Sequence, residues 1–399
     1  MLELELSLIG DPNPALAPLL EAFQAQHHIR VKLRNMTWEN AWPELLTFAL
    51  HDTGPDISHI GSTWAGSLVA MNALRPFTPA EVKAWGGAEV FLDACWQSGM
   101  LRDQAQVWAL PWTSFTFILC YRRDLLQKAG VDEASAFSSA EALARTLARL
   151  QAAGVEIPFV VPSGHLLVDT LHYTASWVWD AGGDLMSADG RQPLFTQPAA
   201  LAGFEAYFNL FRWLAPAARH LEETQAQDLF AGGQAAVAVI AADAPYAWNE
   251  SNAAPEVLAN LGAAPMPGVP WVGGDNLVIW RHLRASPERE RAAVALVNFL
   301  AKQSAQQAIA HGPLLLAPTR RDALATLPNP DSLLTQAVTR SLQTGRAYHP
   351  VAQWSKLENQ LGAALSTVGK DVLAGNEPAA ALRQHLDPLA RRLEITLGG

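Results

Sequence analysis

The sequence predicts an α/β protein of two lobes, on the strength of its length, its order of elements and its proline-containing crossings. The chain has 399 residues, and a single domain holds roughly 150 residues, so one ordinary core is too small for it. Strand and helix patterns alternate near the start and again further along, which indicates mostly parallel sheets flanked by helices. Proline-containing stretches mark places where the chain passes between lobes.

The N-terminal part is predicted as a β-α-β-α-β series. Alternating apolar and polar residues from Leu2 to Ile9 indicate a strand, which the turn cluster at residues 10–14 ends. A helical pattern that includes Phe23 follows. The series continues with a strand at 29–33, a helix at 38–50 that Thr37 caps, and a strand at 57–60.

The apolar stretch at residues 107–126 contains Pro111 and Trp112. Proline lacks a backbone donor and has a fixed φ, so we expect two strand pieces joined by a short connector rather than one strand. Further crossings are expected near 264–268 and 313–318. The predicted lobes, joined by a hinge of several strands at 111–115 and these two sites, are 1–110 plus 268–313 and 116–264 plus 318–399.

Beyond the first crossing the alternation of strands and helices repeats. Ser138 and Glu141 form a capping-box pattern ahead of a helix that runs to about residue 152. The later predicted elements are a strand at 157–161, a helix at 166–180, a helix at 199–214, a buried strand at 235–240, and helices from 331 onward with breaks at 349–350 and 375–376.

Composition excludes several classes of partner. No apolar run reaches the ~18 to 20 residues that a membrane helix needs. A net charge of −10 without a basic cluster argues against nucleic acid and anionic membranes. The two cysteines, Cys95 and Cys120, have no metal-ligand spacing. We expect two buried free thiols, with a disulfide as the alternative.

Signatures of catalysis are mostly absent from the sequence. It contains no phosphate-binding P-loop, zinc-protease helix motif, nucleophile elbow or dinucleotide-binding glycine motif, and its histidines lack metal-ligand spacing. A glycosidase would need two carboxylates around one sugar linkage. Acidic residues do occupy loops and element ends, where acids usually cap helices or turns; they are Asp11, Glu39, Asp56, Asp180, Asp243 and Asp275.

Tryptophans at predicted element ends point towards carbohydrate. The chain has 14 tryptophans, and sugar rings stack their C–H faces on indoles while their hydroxyls need polar partners. Glu39 follows Trp38, and Thr63 precedes Trp64. His172, on an aromatic helix, is expected to pack or to face a ligand. The candidate contacts from this pattern are Trp38, Glu39, Thr63, Trp64, Trp112, Ser114, His172, Trp271, Asp275 and Asn276.

Six segments in order resemble the extracellular solute-binding proteins of ABC sugar importers, the family that includes maltose-binding protein. The resemblance covers essentially the whole chain. The segments are Gly54-Pro-Asp-Ile57 with Trp64, Trp108-Ala-Leu-Pro-Trp112 through Leu125, Trp179-Asp-Ala-Gly-Gly183-Asp-Leu, Leu229-Phe-Ala-Gly-Gly233-Gln-Ala-Ala, Val272-Gly-Gly274-Asp-Asn276, and Pro318-Thr-Arg-Arg-Asp322.

The resemblance implies a two-lobed periplasmic-binding-protein fold, type II-like, and a receptor rather than an enzyme. Such a protein binds a mono- or oligosaccharide, closes on it, and delivers it to a membrane permease. No cofactor or metal is implied, and a monomer is expected. The location implied is extracytoplasmic, periplasmic or lipid-anchored. The alternating start at Leu2 lacks the pattern of an export signal, so we expect that a leader is absent from this sequence.

Ligand contacts carry over from the family position by position. Relatives often have an acidic residue where Phe115 stands, and a tryptophan where Tyr246 stands, so the resemblance leaves the identity of the sugar open. The positions implied are Asp11, Asn13, Trp64, Trp112, Ser114, Phe115, Asp243, Tyr246, Gly274, Asp275, Asn276 and Trp354.

Two alternatives to a sugar receptor remain open at this point. One is a two-lobed receptor for a non-sugar solute such as a polyol, glycerol phosphate or a peptide. The other is a carbohydrate-active enzyme, which would use a carboxylate pair. A phosphorylated ligand would need Arg or Lys in the same loops, and these loops hold few.

Overall fold

The computed structural model describes residues 2–101, 105–164, 169–281, 286–311 and 316–397. It contains the predicted strands in the predicted order, and four further strands, at 74–75, 261–265, 272–280 and 317–318, that the sequence analysis did not predict. The strands are β1 (Leu2–Ile9), β2 (Ile29–Met36), β3 (Ile57–Gly61), β4 (Leu74–Arg75), β5 (Leu110–Arg122), β6 (Ile157–Val160), β7 (Ala235–Ala241), β8 (Leu261–Pro265), β9 (Val272–Trp280) and β10 (Ala317–Pro318).

Helices alternate with these strands and dominate the C-terminal part. Short 3-10 helices lie at Ala88–Val90, Asn209–Trp213, Pro216–Ala218 and Ala244–Ala247. The α-helices are α1 (Leu16–His27), α2 (Trp38–His51), α3 (Ala65–Ala70), α4 (Pro79–Ala84), α5 (Asp93–Ser98), α6 (Arg123–Lys128), α7 (Ala140–Ala152), α8 (Asp169–Asp180), α9 (Pro198–Phe208), α10 (Glu223–Ala231), α11 (Pro255–Asn260), α12 (Pro287–Leu300), α13 (Gln303–Ala310), α14 (Arg321–Leu324), α15 (Leu333–Thr344), α16 (Trp354–Leu373) and α17 (Pro378–Leu397).

The expected interruption at Pro111 is wrong, because β5 runs unbroken from Leu110 to Arg122. Pro111 is the second residue of the strand, and proline is tolerated at a strand start, where the missing N–H removes no central ladder bond. The pairing of β5 with β10 begins only at Thr113, opposite Pro318. A proline near the end of a strand therefore does not divide it.

Two helix boundaries differ from the sequence prediction. The cap of α7 is Ser139, whose hydroxyl accepts a hydrogen bond from the backbone N–H of Ala142, and not Ser138. The helix predicted at 199–214 ends at Phe208 and continues as a 3-10 helix. The start predicted at 166 lies outside the described residues, and α8 is described from Asp169. Boundaries are set by local capping bonds, which periodicity does not show.

The chain divides into two compact units. Unit 1 comprises Met1–Phe115, Val272–Pro330 and Ala347–Ser355, and unit 2 comprises Thr116–Trp271, Asp331–Arg346 and Lys356–Gly399. The expected hinge crossings near 111–115, 264–268 and 313–318 stay predictions, and residues 312–315 lie outside the described residues.

Unit 1 is built on a sheet in which β1 pairs in parallel with β2 and β3, while β9 pairs antiparallel with β3. Successive residues of β9 point to opposite faces. Leu277 and Ile279 pack into the core that α1 and α12 cover, while Val278 and Trp280 join the core beneath α2 and α3. Both faces of the sheet are therefore buried, which is typical of α/β proteins.

A buried carboxylate fastens α12 of unit 1 to the sheet. Asp56, which is 5% exposed, accepts hydrogen bonds from both Nε and a terminal nitrogen of Arg289, and from the backbone N–H of Glu5 at 2.8 Å. These bonds satisfy the buried charge. Asp56, one of the acids considered for catalysis, thus stabilises the packing of α12 against the sheet.

Unit 2 has its own sheet, in which β5 pairs antiparallel with β7 and β8, and β6 pairs in parallel with β7. Helices α8 and α9 pack closely because Gly203 of α9 lacks a side chain. A Cβ there would lie 2.4 Å from the Cα of Val178. The core includes several fully buried aromatics; they are Phe159, Tyr173, Trp177, Phe204, Tyr207 and Phe208.

The two cysteines, Cys95 and Cys120, are free and buried, as expected. Burial raises the pKa of the Cys95 thiol to about 12 and that of Cys120 further, so both are poor nucleophiles.

Within the described part of the chain, no helix combines the length and the apolar character needed to cross a membrane.

Candidate functional site

A continuous group of aromatic rings lies in unit 1, and we call it the aromatic cluster: Trp38, Trp42, His59, Trp64 and Trp112. Trp64 contacts Trp38 at a ring-centroid distance of 5.8 Å and Trp42 at 5.5 Å. His59 meets Trp38 edge-on at 6.1 Å and Trp112 at 5.4 Å. The predicted residues Trp38, Trp64 and Trp112 are thus brought together.

Strand topology explains why these rings meet. β1, β2 and β3 are parallel, so their carboxyl ends lie at one edge of the sheet, where α/β proteins place ligands. Trp38 starts the helix after β2, and Trp64 follows β3. Gly10, which follows β1, has φ of 76°, and a Cβ there would lie 3.6 Å from Trp38 Nε1.

Exposure separates the members of the aromatic cluster. Trp38 is 53% exposed, which is unusual for an indole and leaves ring surface open to a ligand. Trp112 is 5% exposed, and its buried Nε1–H has no hydrogen-bond partner among the described residues. Trp38 therefore offers the accessible stacking surface, whereas Trp112 is the buried member of the cluster and lies on the sheet.

The Asp275 carboxylate is held beside this cluster. Thr113 Oγ1 donates to Asp275 Oδ2 at 2.6 Å, and His59 Nε2 lies 3.1 Å from Asp275 Oδ1. The backbone N–H of Ile9 donates to His59 Nδ1 at 3.1 Å, while His59 Nε2 has no hydrogen-bond partner among the described residues. Each carboxylate oxygen keeps further acceptor capacity, which suits sugar hydroxyls.

Sequence reasoning missed His59 and Trp42. The strand predicted at 57–60 contains His59, but the sequence pattern assigns this residue no role. His59 could have been noticed because it is a polar ring only two residues before the end of that strand. The carboxyl end of a strand is where α/β proteins place ligands. Trp42 lies one helical turn after Trp38, and the spacing of four residues along α2 places both on one face.

The neighbours of Asp275 in β9 serve the fold. Asn276 is buried, and its side chain bonds both the hydroxyl and the carbonyl oxygen of Ser98, on the face opposite Asp275. Gly274 has φ of 127°, and a Cβ there would lie 2.2 Å from the carbonyl oxygen of Thr113. Glycine at this position brings Asp275 within reach of Thr113.

Other predicted contacts in unit 1 differ in their hydrogen bonds and exposure. Ser114 Oγ donates to the carbonyl oxygen of Pro318 at 3.0 Å. Asn13 is buried and its Oδ1 accepts from the N–H of Ala15 at 2.9 Å, so it shapes the start of α1. Asp11 and Glu39 are exposed, while Thr63 and Phe115 are half-buried. Their ligand roles stay predictions.

Trp354 is packed into unit 1 rather than exposed. Its ring stacks on Tyr348 at 4.3 Å, and it is 2% exposed. Ser67 of α3, near Trp64, donates to the carbonyl oxygen of Ala352 at 2.8 Å and bonds Ser355. The segment that carries Trp354 is thereby fastened to the helix that follows Trp64.

In unit 2, Trp271 and His172 form a stacked pair with centroids 4.2 Å apart. Phe117 also stacks with Trp271, at 5.7 Å. Burial lowers the pKa of His172 to about 3, so its ring is neutral at physiological pH, although Glu358 lies 3.7 Å away. Trp271 is only 6% exposed, which makes it chiefly a packing residue of unit 2.

Asp243 and Tyr246 follow β7 in unit 2, where the sequence predicted a polar-aromatic pair. Tyr246 is half-buried, and its hydroxyl bonds Thr335 Oγ1 at 3.0 Å. Asp243 has a buried carboxylate oxygen with no hydrogen-bond partner among the described residues. Burial raises the pKa of Asp243 above its ordinary value. Both residues remain predicted ligand contacts.

The described ranges hold no group of three or more His, Cys, Asp or Glu side chains arranged to bind a metal ion. The chemistry available at Asp275 and the aromatic cluster is therefore stacking on indole rings together with hydrogen bonding by a fixed carboxylate. Such a combination binds small polar ligands that carry apolar faces.

Comparison with solved structures supports this architecture. The sugar-binding protein MalE from Xanthomonas citri matches 99% of this chain and 97% of its own, with a TM-score of 0.82 and 20% identity. A solute-binding protein from Thermotoga lettingae bound with α-D-tagatose covers 100% of both chains, with a TM-score of 0.78 and 19% identity.

A third similar structure is maltose-bound MalE3 of T. maritima, which covers 99% of this chain and 100% of its own at a TM-score of 0.77 and 22% identity. These likenesses confirm the predicted α/β periplasmic-binding-protein fold. No curated protein sequence matches the chain.

The sequence itself carries the family assignment. The family model for bacterial extracellular solute-binding proteins matches residues 9–307. That range begins at the end of β1 and extends into α13, so it includes the aromatic cluster and Asp275. The chain therefore belongs to the bacterial extracellular solute-binding protein family.

Proposed function

We propose that this protein is the carbohydrate receptor of an ABC importer. It works outside the cytoplasm as a monomer, in the periplasm or lipid-anchored at the cell surface, and passes its ligand unaltered to a membrane permease. The similar structures from Xanthomonas citri, Thermotoga lettingae and T. maritima carry sugar-binding names or bound sugars, which supports this choice of solute.

One observation carries the proposal: the exposed indole of Trp38 belongs to the aromatic cluster, and the Asp275 carboxylate beside that cluster is already oriented. A sugar ring would stack on Trp38, and its hydroxyls would donate to Asp275. The Thr113 hydroxyl donates to one Asp275 oxygen before any ligand arrives, and His59 Nε2 lies 3.1 Å from the other oxygen without a hydrogen bond. The carboxylate is therefore already oriented by Thr113, and little conformational entropy is lost there on binding.

Unit 2 contributes a second set of contacts in this proposal, with Asp243 and Tyr246 as its candidates. The two units close on the sugar about hinge segments near 111–115, 264–268 and 313–318. Because ligand contacts from both units form only in the closed state, binding shifts an open–closed equilibrium, and the permease recognises the closed form.

A thermal-shift screen tests the choice of ligand class. We expect neutral or amine-bearing sugars to raise Tm, because a ligand that binds only the folded state stabilises it. Polyols, glycerol phosphate and peptides complete the panel. A shift with one of these and none with any sugar would reject a carbohydrate receptor, and chromatographic detection of cleaved oligosaccharide would show an enzyme instead.

The variant Asp275→Asn tests the proposed site itself. It keeps the shape of the side chain but loses the negative charge that strengthens hydrogen bonds, so we expect sugar affinity to fall about tenfold to a hundredfold. Calorimetry measures this. Glu21→Gln, a change at an exposed acid on α1, is the control, and equal affinities in both variants would remove Asp275 from the site.

A further inference from the structure

One edge of the sheet in unit 2 carries carboxylates that have no role in the proposed stacking on Trp38 or in the hydrogen bonding by Asp275. β6 and β7 are parallel, so their carboxyl ends lie at one edge of the sheet. Asp243 follows β7 directly. Helix α10 packs on β7 and leads into it through Gly232 and Gly233, so α10 runs antiparallel to the strand. Its first residue, Glu223, therefore lies at the same edge as Asp243.

The loop after β6 is fastened to this edge. The backbone N–H of Ser163 donates to the carbonyl oxygen of Leu221 at 2.9 Å, and the N–H of His220 donates to Ser163 Oγ at 3.1 Å. These bonds join the end of β6 to the residues just before α10.

Helix α8 adds a carboxylate and a phenol. Asp169 and Tyr173 are four residues apart and share one face of the helix. Tyr173 is 1% exposed, and its hydroxyl has no hydrogen-bond partner among the described residues. Burial, and then the negative charges of Glu223 and Asp169, raise the pKa of Tyr173. Its buried polar atom therefore lies in the field of these carboxylates.

Electrostatic interaction links these carboxylates, and no ion pair among the described residues offsets their charge. Burial, followed by the charges of Asp169 and Asp243, raises the pKa of Glu223 to about 7. Gln227 Nε2 donates to Glu223 Oε1 at 3.1 Å. None of the ion pairs in the described part of the chain includes Glu223, Asp243 or Asp169.

A protonated amine matches this arrangement better than a hydroxyl group does. An ammonium group has three N–H donors and no acceptor. At this edge, Glu223 and an Asp243 oxygen with no hydrogen-bond partner among the described residues offer acceptors, and the Tyr173 hydroxyl, which is influenced by the charge of Glu223, adds a further polar atom. Its positive charge also offsets the mutual repulsion of the acids, which a neutral hydroxyl does not.

We propose that this edge of unit 2 binds the protonated amine of an amino sugar. The inference rests on the proposed function, because it names the class of carbohydrate that the receptor takes. Unit 1 then stacks the sugar ring, and unit 2 selects for the amine.

Three disaccharides with the same backbone test the proposal. The chitosan disaccharide, cellobiose and N,N′-diacetylchitobiose carry an ammonium, a hydroxyl and an acetamide group at the same ring position. Calorimetry at about pH 7, where an amine of ordinary pKa is mostly protonated and Glu223 is partly ionised, should show at least tenfold tighter binding of the chitosan disaccharide. The preference should weaken as salt is added, since salt screens charge interactions.

Variants locate the source of the preference. Glu223→Gln and Asp243→Asn should each reduce the ratio of amine to neutral affinity about tenfold. Gln at 223 keeps the hydrogen bond to Gln227 and removes a repelled charge, so folding is not at risk. Asp228→Asn, at an exposed acid later in the same helix, is the matched control and should leave the ratio unchanged.

Either of two results in these titrations would overturn the inference and leave the proposed function standing. One is equal or tighter binding of a neutral disaccharide, and the other is an undiminished ratio of amine to neutral affinity in the Glu223→Gln/Asp243→Asn double variant. The inference also fails if none of the three disaccharides binds while another neutral sugar of the screening panel does. Failure of every sugar in that panel would reject the proposed function as well.

Discussion

Two side chains, His59 and Thr113, each contact one oxygen of the Asp275 carboxylate. Thr113 and Asp275 are 162 residues apart in sequence, so their meeting depends on how β5 and β9 are arranged in unit 1. At the residue scale the molecule therefore prepares a polar contact before ligand binds, and it leaves the neighbouring Trp38 ring exposed for stacking.

Replacement of Trp38 by alanine should weaken sugar binding by about 1 to 3 kcal/mol, through lost stacking and lost buried area. Stability should change little, because the ring is 53% exposed. Calorimetry gives the affinity and a melting curve gives the stability. Leu50→Ala, at an exposed position on the same helix, should leave affinity unchanged, and full affinity in Trp38→Ala would exclude this ring from the site.

Glu223 should make the protein less stable as pH rises. Its folded pKa is about 7, above the usual 4.5, so the folded state keeps a proton that the unfolded chain has lost. The stabilising effect is complete below about pH 4.5 and disappears as pH rises through about 7.

Glu223→Gln should remove this dependence. Allowing for solvent screening of a half-buried group, we expect about 1 to 2 kcal/mol between pH 5 and pH 8 to vanish from the melting curves of the variant. Asp228→Asn should retain the slope of the unmodified protein. An identical slope in Glu223→Gln would show that the Glu223 carboxyl is not perturbed by its neighbours.

At the element scale, β5 and β9 show how close approach is achieved in unit 1. The chain at Gly274 passes so near the carbonyl oxygen of Thr113 that no Cβ fits. Pro111, at the start of β5, leaves the strand intact because the pairing with β10 begins after it. Glycine and proline in these strands therefore have positional roles, and neither ends its strand.

Alanine at position 274 should be far more damaging than alanine at position 182. Both glycines have positive φ, 127° and 76°, but only Gly274 is crowded, since a Cβ at Gly182 would meet nothing within 4 Å. We expect a loss of about 1 kcal/mol for Gly182→Ala and of about 3 kcal/mol or more for Gly274→Ala. Similar melting temperatures for the two variants would contradict a steric requirement at Gly274.

At the scale of the whole molecule, each unit has its own sheet and its own buried core, and the chain passes between them repeatedly. Receptors with two such bodies can respond to ligand by a change in their relative arrangement. The proposal of closure follows from this division together with the family membership, and it makes a prediction about size in solution.

Small-angle scattering should show a smaller radius of gyration when a saturating sugar is present, because closure brings the two units together. The Trp38→Ala variant, at a sugar concentration too low to saturate it, should keep the larger value. An unchanged radius for the unmodified protein at saturation would reject closure as the response to ligand.

Much of the molecule follows from local patterns in the sequence. Alternation from Leu2 to Ile9, the turn at 10–14 and the periodicity of later helices predicted most elements, because these signals depend on neighbouring residues alone. The same reasoning placed Trp38 and Trp64 at element ends, as the structure has them, but it also placed Asp275 in a loop or at an element end, whereas Asp275 lies within β9. It misjudged Pro111 and the cap of α7, where strand pairing and one side-chain bond decide the outcome.

By itself, then, the sequence determined the fold class, the family and the loops in which polar and aromatic residues gather. Only the tertiary structure decided which of those side chains meet. In the folded protein the Asn276 side chain is buried against Ser98, and the Asp275 side chain lies next to His59. The fold also places Glu223 at the same sheet edge as Asp243. The physical reason is that the direction in which a side chain points depends on strand pairing and helix packing between distant segments. Turns and periodicity, in contrast, are properties of the chain over a few residues.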